Sequence, residues 1–191
     1  MADAHPWVHV HELDLAGEPG PRDWACLDSG ERGRAARIVA PARRDRFVLR
    51  RAAVRRILRS YDRDVFFSAA DSGDAGVVAV ASRRVGVDVE VETVRRGQDR
   101  IAARMFAPDE RALLDALAGD ERRRLFHRCW VAKEAFAKGV GRGLALPFGG
   151  FSVASVLRSP DGAAPVDAGW SVSLESRGGR HLAVALEDRR G

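Results

Sequence analysis

The chain has 191 residues, of which 46% are hydrophobic, and it carries a formal net charge of +5 at pH 7. This size and composition predict one globular domain, or two small halves that share a core. No apolar run approaches the roughly 18 residues that a transmembrane helix needs. The first residues lack a basic region followed by an apolar run, so we expect no secretory signal and a cytoplasmic protein. In that compartment Cys26 and Cys129 are expected to be reduced.

The first third of the chain predicts one strand and a basic helical region. Residues 7–13 alternate in polarity, which indicates a strand, and helices are predicted over 22–29 and from Glu31 onward. The segment 42–61 has apolar residues at helical spacing among many arginines, which is typical of an amphipathic helix packed on a core. Its charge favours anionic partners, although the scarcity of aromatic residues argues against single-stranded nucleic acid.

The middle of the chain predicts a turn and two strands. Residues 69–76 are predicted as a turn, because small, polar and glycine residues dominate there. Strands are predicted at 77–81 and 85–91, joined by a hairpin at 82–84.

The last part of the chain predicts two helices and a return to strands. Pro108 marks the first turn of one helix. Asp120 can cap a longer helix at 121–138, and Gly139 can supply its left-handed end. Strands are predicted at 151–156, 170–176 and 181–187, the last two as a hairpin. This order of elements indicates an α+β fold.

Acidic residues recur at every second position in "VGVDVEVE", residues 85–92. Because residues two apart in a strand share a face, Asp88, Glu90 and Glu92 are expected to lie together, opposite a valine face that packs in the core. Adjacent like charges repel unless a cation sits among them, and carboxylate oxygens suit Mg²⁺. An edge strand with a solvated acidic face would explain the same pattern.

The stretch "WVAKEAFAKGVGRGLALPF", residues 130–148, places Lys133, Glu134 and Lys138 just before alternating glycines. Glu134 and Lys138 lie four apart on a helix and could form only an exposed ion pair, worth a few tenths of a kcal/mol. Alternatively, the glycines let the backbone approach a ligand, and the lysines neutralise phosphate oxygens beside a third metal carboxylate, Glu134. The two stretches together suggest a magnesium and pyrophosphate site.

Fixed positions in these stretches follow two known signatures. The pattern G-[IV]-D-[IV]-E appears as "GVDVE" at 86–90, and W-x-x-K-E-x-x-x-K with G-x-G-L-x-[LF]-P appears at 130–138 and 141–147. In both, the chain resembles the 4′-phosphopantetheinyl transferases, specifically the longer, Sfp-like, pseudodimeric group. The resemblance implies two similar α/β halves, which we expect at 1–85, shortened, and at 86–191, the half that carries the motifs.

The resemblance also implies a reaction and a ligand set. Mg²⁺ would hold the pyrophosphate of coenzyme A while a serine of an acyl or peptidyl carrier protein attacks the phosphate beside pantetheine, releasing 3′,5′-ADP. Asp88, Glu90 and Glu134 would be the metal ligands, and Lys133 and Lys138 would contact the phosphates, with Lys138 also acting in catalysis.

Three further residues take roles from the same resemblance. Glu110, in "MFAPDERALL", matches an acidic family position and would orient or deprotonate the serine through water. Arg46 matches a basic position associated with the 3′-phosphate of coenzyme A, and Arg34 would replace a family lysine. A solvated helix face is the alternative explanation for each arginine, and for Arg34 it fits equally well.

One segment of the family pattern is missing. The family carries a "GKP" turn and an N-[LI]-S-H-S motif whose serine and histidine help to bind the nucleotide end of coenzyme A. Here Ala70 and Asp71 stand where that serine and histidine would fall, and a second alignment deletes the motif. An aspartate in place of the histidine would repel coenzyme A.

Three interpretations remain open from the sequence. The favoured one is a monomeric transferase for carrier proteins of polyketide, nonribosomal peptide or fatty acid assembly, with no nucleic-acid or membrane partner. The second is a diverged member of the fold that acts on, or binds, a different and possibly carrier-linked substrate in secondary metabolism. The third is a basic nucleic-acid-binding module, which rests on the arginine-rich helix alone.

Overall fold

The computed structural model describes residues 6–61, 64–94, 97–167 and 169–188, apart from the side chain of Leu144. The helices are α1 (Pro21–Cys26), α2 (Ser29–Ala36), α3 (Pro41–Leu58), α4 (Gln98–Met105), α5 (Pro108–Asp115), α6 (Gly119–Gly139) and α7 (Ala154–Arg158). The strands are β1 (Val8–Asp14), β2 (Phe66–Ser72), β3 (Ala75–Ala81), β4 (Val85–Val91), β5 (Ala163–Asp167), β6 (Trp170–Arg177) and β7 (Arg180–Glu187). The predicted α+β class is confirmed. None of the described helices combines the length and the apolar character needed to cross a bilayer.

The strands form two antiparallel sheets. The first has the order β1–β3–β2 and the second the order β4–β7–β6–β5. The predicted hairpin at 82–84 is therefore wrong, because β3 and β4 belong to different sheets. β3 is the central strand of its sheet, with β1 on one side and β2 on the other, so it has no free edge for β4.

The segment 69–76 is not the turn that its composition indicates. Residues 66–72 form β2, which pairs along its whole length with β3, and the chain reverses only around Gly73, at φ 58°. Ala70 of β2 is buried against Val87 and Val89 of β4. Packing between the two sheets therefore overrides the weak strand propensity of this segment.

Two predictions near α6 and α7 are also corrected. The helix α6 begins after Ala118 rather than at an Asp120 cap, and the left-handed residue beyond its end is Gly141 rather than Gly139. The second half of the predicted strand at 151–156 is instead the start of α7. Its apolar residues fit a helix as well as a strand, and Ala154, Val156 and Leu157 are all buried.

Helix α6 lies against the second sheet at very short range. A Cβ atom at Gly86 of β4 would collide with the Ala135 carbonyl oxygen and the Gly139 backbone of α6. Gly139 is in turn covered by the ring of Trp170, which leaves no room there for a ligand. This close approach brings the acidic strand and the lysine-bearing helix together.

The arginines of α3 are largely neutralised inside the fold. They pair with the turn of the β2–β3 hairpin and with the acidic residues of α1 and α2; the pairs are Arg46–Asp74, Arg50–Asp71, Arg51–Glu31, Arg55–Asp28, Arg55–Glu31 and Arg56–Asp23. Much of the basic charge that suggested anionic partners is therefore used to dock α3.

Candidate active site

Carboxylates from β4 and α6 meet where these two elements pack together. Asp88 and Glu90 are 6% and 8% exposed, and Glu134 on the facing helix is half-buried. Lys138, one turn after Glu134, places its Nζ 2.6 Å from Oδ1 of Asp88. We refer to Asp88, Glu90 and Glu134 as the acidic cluster.

Burial and neighbouring charges shift the pKa values of two of these carboxyl groups. Burial raises the pKa of Asp88 to about 7; the Lys138 ammonium opposes this shift, and the charges of Glu134 and Glu90 add to it. The pKa of Glu134 is also raised, chiefly by burial, with Lys138 lowering it and Glu90 raising it. The three carboxylates are thus close enough to repel one another, and the one ammonium group does not cancel that repulsion.

The acidic cluster fits a hard divalent cation in charge and in donor chemistry. Its donors are carboxylate oxygens, which Mg²⁺ prefers, and a cation would relieve both the burial cost and the mutual repulsion. Within the ranges that the structure describes, no group of three or more acidic, histidine or cysteine side chains is arranged so that it could hold a metal ion as it stands. The cluster would offer ligands to such a cation on one side and would leave its other side to a further ligand.

Lys133 and Glu110, both predicted to act on the substrate, form a buried ion pair instead. Both side chains are 0% exposed, and Lys133 Nζ lies 2.7 Å from Oε1 of Glu110 and 2.8 Å from its Oε2. The third ammonium proton is donated to the Phe151 carbonyl oxygen at 2.7 Å. Lys133 therefore has no donor left for a phosphate.

The carboxylate of Glu110 is equally committed. Its oxygens accept the backbone N–H groups of Ala107 and Val153, each at 2.7 Å, in addition to the Lys133 ammonium. Lys133 would need an exposed polar atom to contact coenzyme A, and Glu110 would need one to contact the carrier serine. Neither side chain has an exposed polar atom. The pair joins α5, α6 and the segment before α7.

The two arginines predicted to bind coenzyme A lie on the helices of the first half. Arg46 on α3 is 3.3 Å from Oδ1 of Asp74, and exposed Arg34 on α2 lies over the ring of Phe47 at 5.3 Å. The structure thus brings four predicted site residues together at the acidic cluster, while the contacts described for these two arginines are with Asp74 and Phe47.

Several side chains at this site were not predicted from the sequence. Ser72 of β2 donates to Oε2 of Glu90 at 3.2 Å. It was assigned no role from the sequence because the segment around it was predicted to be a turn. Glu92, expected on the acidic face, accepts instead from Nε2 of His181 at 3.0 Å. Burial lowers the pKa of this histidine. Glu92 lies one residue beyond the end of β4 at Val91, which is where the sequence predicted this strand to end.

Comparison with known proteins identifies the family. The model of the 4′-phosphopantetheinyl transferase superfamily matches residues 84–185, more than half of the chain, and this region holds the whole acidic cluster. The chain belongs to this superfamily. The resemblance inferred from the two signatures is therefore confirmed.

Individual relatives agree with this assignment. A Synechocystis sp. protein with the provisional name 4′-phosphopantetheinyl transferase is 29% identical over an alignment 165 positions long, which covers 66% of this chain and 67% of the relative. A 4′-phosphopantetheinyl transferase of Bacillus subtilis is 39% identical over 90 residues, and Sfp of Bacillus subtilis strain 168 is 36% identical over 90 residues. Each of these two matches covers 47% of this chain but only 39% of the relative.

Proposed function

We propose that the protein transfers the 4′-phosphopantetheine arm of coenzyme A to a serine of an acyl or peptidyl carrier protein, with Mg²⁺, and releases 3′,5′-ADP. The observation that carries the proposal is the acidic cluster, with Lys138 beside it, in a chain that belongs to this superfamily. We further propose that the protein acts as a cytoplasmic monomer on carriers of polyketide, nonribosomal peptide or fatty acid assembly, and that its halves divide near residue 85.

Each residue of the site has a distinct part in this reaction. Asp88, Glu90 and Glu134 would hold the ion, which when bound would neutralise the pyrophosphate oxygens and fix their position. Lys138 would donate to a phosphate oxygen once the ion takes over the neutralisation of Asp88. Transfer then depends mainly on the positioning of the serine hydroxyl in line with the phosphate. Glu110 and Lys133 would act as positioning residues, because they fix the helix that carries Glu134.

The Asp71–Arg50 pair speaks against one argument for the diverged alternative, while the missing segment that motivates that alternative remains. An aspartate at the place of the family histidine was expected to repel coenzyme A. Asp71 instead lies 3.0 Å from the Nε atom of Arg50, so its charge is balanced within the fold. We therefore propose that Arg46 and Arg34, on the adjoining helices, still contribute to binding the nucleotide end.

The proposal is tested by incubating a purified apo carrier protein with coenzyme A, Mg²⁺ and the enzyme, and measuring the mass of the carrier. We expect a gain of one phosphopantetheine group. Glu134→Ala should abolish the gain while the circular dichroism spectrum is unchanged, because the variant loses a metal carboxylate. The control is Glu121→Ala, an exposed glutamate on the same helix, which should transfer normally. Failure with several diverse carriers, or full activity in Glu134→Ala, would count against the proposal.

A further inference from the structure

The two sheets meet edge to edge at β2 and β4. β2 is the outer strand of the first sheet, and β4 is the outer strand of the second. The N–H groups on the outer side of β4 have no strand partner in their own sheet and need other acceptors. Two serine hydroxyls of β2 supply them: Ser68 Oγ accepts from the Val87 N–H and Ser72 Oγ from the Val91 N–H, each at 3.1 Å.

Among the contacts that the structure describes, Ser72 rather than Ser68 also reaches the acidic cluster. Ser72 Oγ accepts the Val91 N–H and donates its own proton to Oε2 of Glu90 at 3.2 Å. For Ser68 the structure describes the backbone contact with Val87. The Ser72 hydroxyl accepts a backbone N–H on one side, so its own proton points to the other side, toward Glu90. This hydrogen bond fixes the orientation of the Glu90 carboxylate.

The hairpin that carries Ser72 is itself anchored on its opposite face. Asp71 pairs with Arg50 at 3.0 Å, and Asp74 in the turn pairs with Arg46 at 3.3 Å, both from α3. The ion pairs with α3 therefore hold the hairpin that carries Ser72, and the edge of β4 holds the Ser72 hydroxyl. A hydroxyl fixed in this way can orient a neighbouring carboxylate.

We propose that Ser72 is a positioning residue for the metal site, which aims the Glu90 carboxylate at the divalent ion. This inference rests on the proposed function, because it takes Glu90 to be a metal ligand. Hydrogen bonds to a ligating carboxylate fix its orientation, and their loss commonly weakens metal affinity by about 10–100-fold. Because Glu90 is held from the side of the first sheet, the shortened first half would contribute directly to the metal site in the second.

The test compares Ser72→Ala with Ser68→Ala in the full chain. Both variants lose one acceptor for a β4 N–H, so both should unfold at a similarly reduced urea concentration. Only Ser72→Ala also loses the bond to Glu90. In Mn²⁺ titrations followed by electron paramagnetic resonance, we expect about tenfold weaker binding for Ser72→Ala and a change below about twofold for Ser68→Ala. Ser72→Thr keeps the hydroxyl and should restore most of the affinity.

The outcomes separate this inference from the proposed function. Equal Mn²⁺ affinity in wild type and Ser72→Ala would overturn the positioning role while leaving the metal site in place. Equal weakening in Ser72→Ala and Ser68→Ala would overturn it as well, because the loss would then come from the contact between the sheets. If the wild type binds no Mn²⁺ at all, the proposed metal chemistry fails together with this inference.

Discussion

At the scale of single residues, Lys133 and Glu110 show how a signature residue can serve the fold rather than the substrate. The position of Lys133 in the W-x-x-K-E pattern suggests phosphate binding, yet all three of its ammonium protons are donated within the protein. Burying two charges is costly, and the pair is tolerated because the remaining acceptor capacity of Glu110 is filled by backbone N–H groups.

This geometry predicts that Lys133→Met acts primarily on the stability of the fold and only secondarily on the transfer reaction. Removing one member of a buried pair leaves an uncompensated charge and typically costs about 3–5 kcal/mol. The free energy of unfolding in urea should therefore fall by about that amount. Lys138→Met on the same helix should unfold near the wild-type concentration but lose transfer activity, because Lys138 is partly exposed and Asp88 can take up a proton in its place. A stable Lys133→Met variant with a raised KM for coenzyme A would contradict the structural role.

At the scale of elements, the closeness of β4 and α6 determines whether the acidic cluster exists. Asp88 and Glu134 come from positions 46 residues apart in sequence, and they meet because two backbones approach without an intervening side chain. The glycine of the G-[IV]-D-[IV]-E pattern is thus explained by packing: Gly86 is the place where α6 lies on the strand.

We predict that Gly86→Ala disrupts the acidic cluster, although Gly86 is not one of its residues. The added methyl would meet the backbone of Ala135 and Gly139, which cannot move aside as a flexible side chain could. Overpacking of this kind costs about 1–3 kcal/mol, occasionally more, and here it would also separate Lys138 from Asp88. Thermal unfolding and Mn²⁺ titration should both show a loss. Gly149→Ala is the control, since a Cβ atom there meets nothing within 4 Å and its φ is not positive. A Gly86→Ala variant with normal metal binding would contradict this account of the cluster.

The same comparison shows what the sequence could predict at this scale. Long periodic segments such as α3, and alternating ones such as β1, β4, β6 and β7, were predictable because their apolar residues recur at the spacing of a helix or a strand. β2 and α7 were not, since their burial depends on partners distant in sequence: β4 for Ala70, and the core beneath α7 for Val156.

For the site, the signature motifs predicted which residues would gather but not all of their roles. Asp88, Glu90, Glu134 and Lys138 do lie together, whereas Glu92, which strand spacing placed on the same face, pairs with His181. Lys133 could not be separated from Lys138 by sequence, because both precede the same glycines. The depth of each side chain depends on how α6 is rotated over the sheet, and that rotation follows from tertiary packing.

At the scale of the whole molecule, the acidic cluster makes the stability of the protein depend on pH. The pKa of Asp88 is about 7 in the folded protein and about 3.9 in an unfolded chain, so between these values the folded state binds more protons. The contribution of Asp88 to stability is therefore present at low pH, falls as pH rises from about 4, and is lost above about 7. His181, whose pKa is lowered, contributes with the opposite sign around its ordinary value.

The comparison of wild type with Asp88→Asn isolates this effect, because His181 titrates alike in both proteins. We predict that, without metal, wild type loses about 2–3 kcal/mol relative to Asp88→Asn between pH 5 and pH 8, measured by urea unfolding. Saturating Mg²⁺ should restore the stability of wild type at pH 8, since the ion binds the ionised folded form. It should leave the stability of Asp88→Asn nearly unchanged. A difference between the two proteins that stays constant with pH would show that Asp88 is not the titrating group. If Mg²⁺ raised the stability of both wild type and Asp88→Asn, the ion would bind elsewhere than at the acidic cluster.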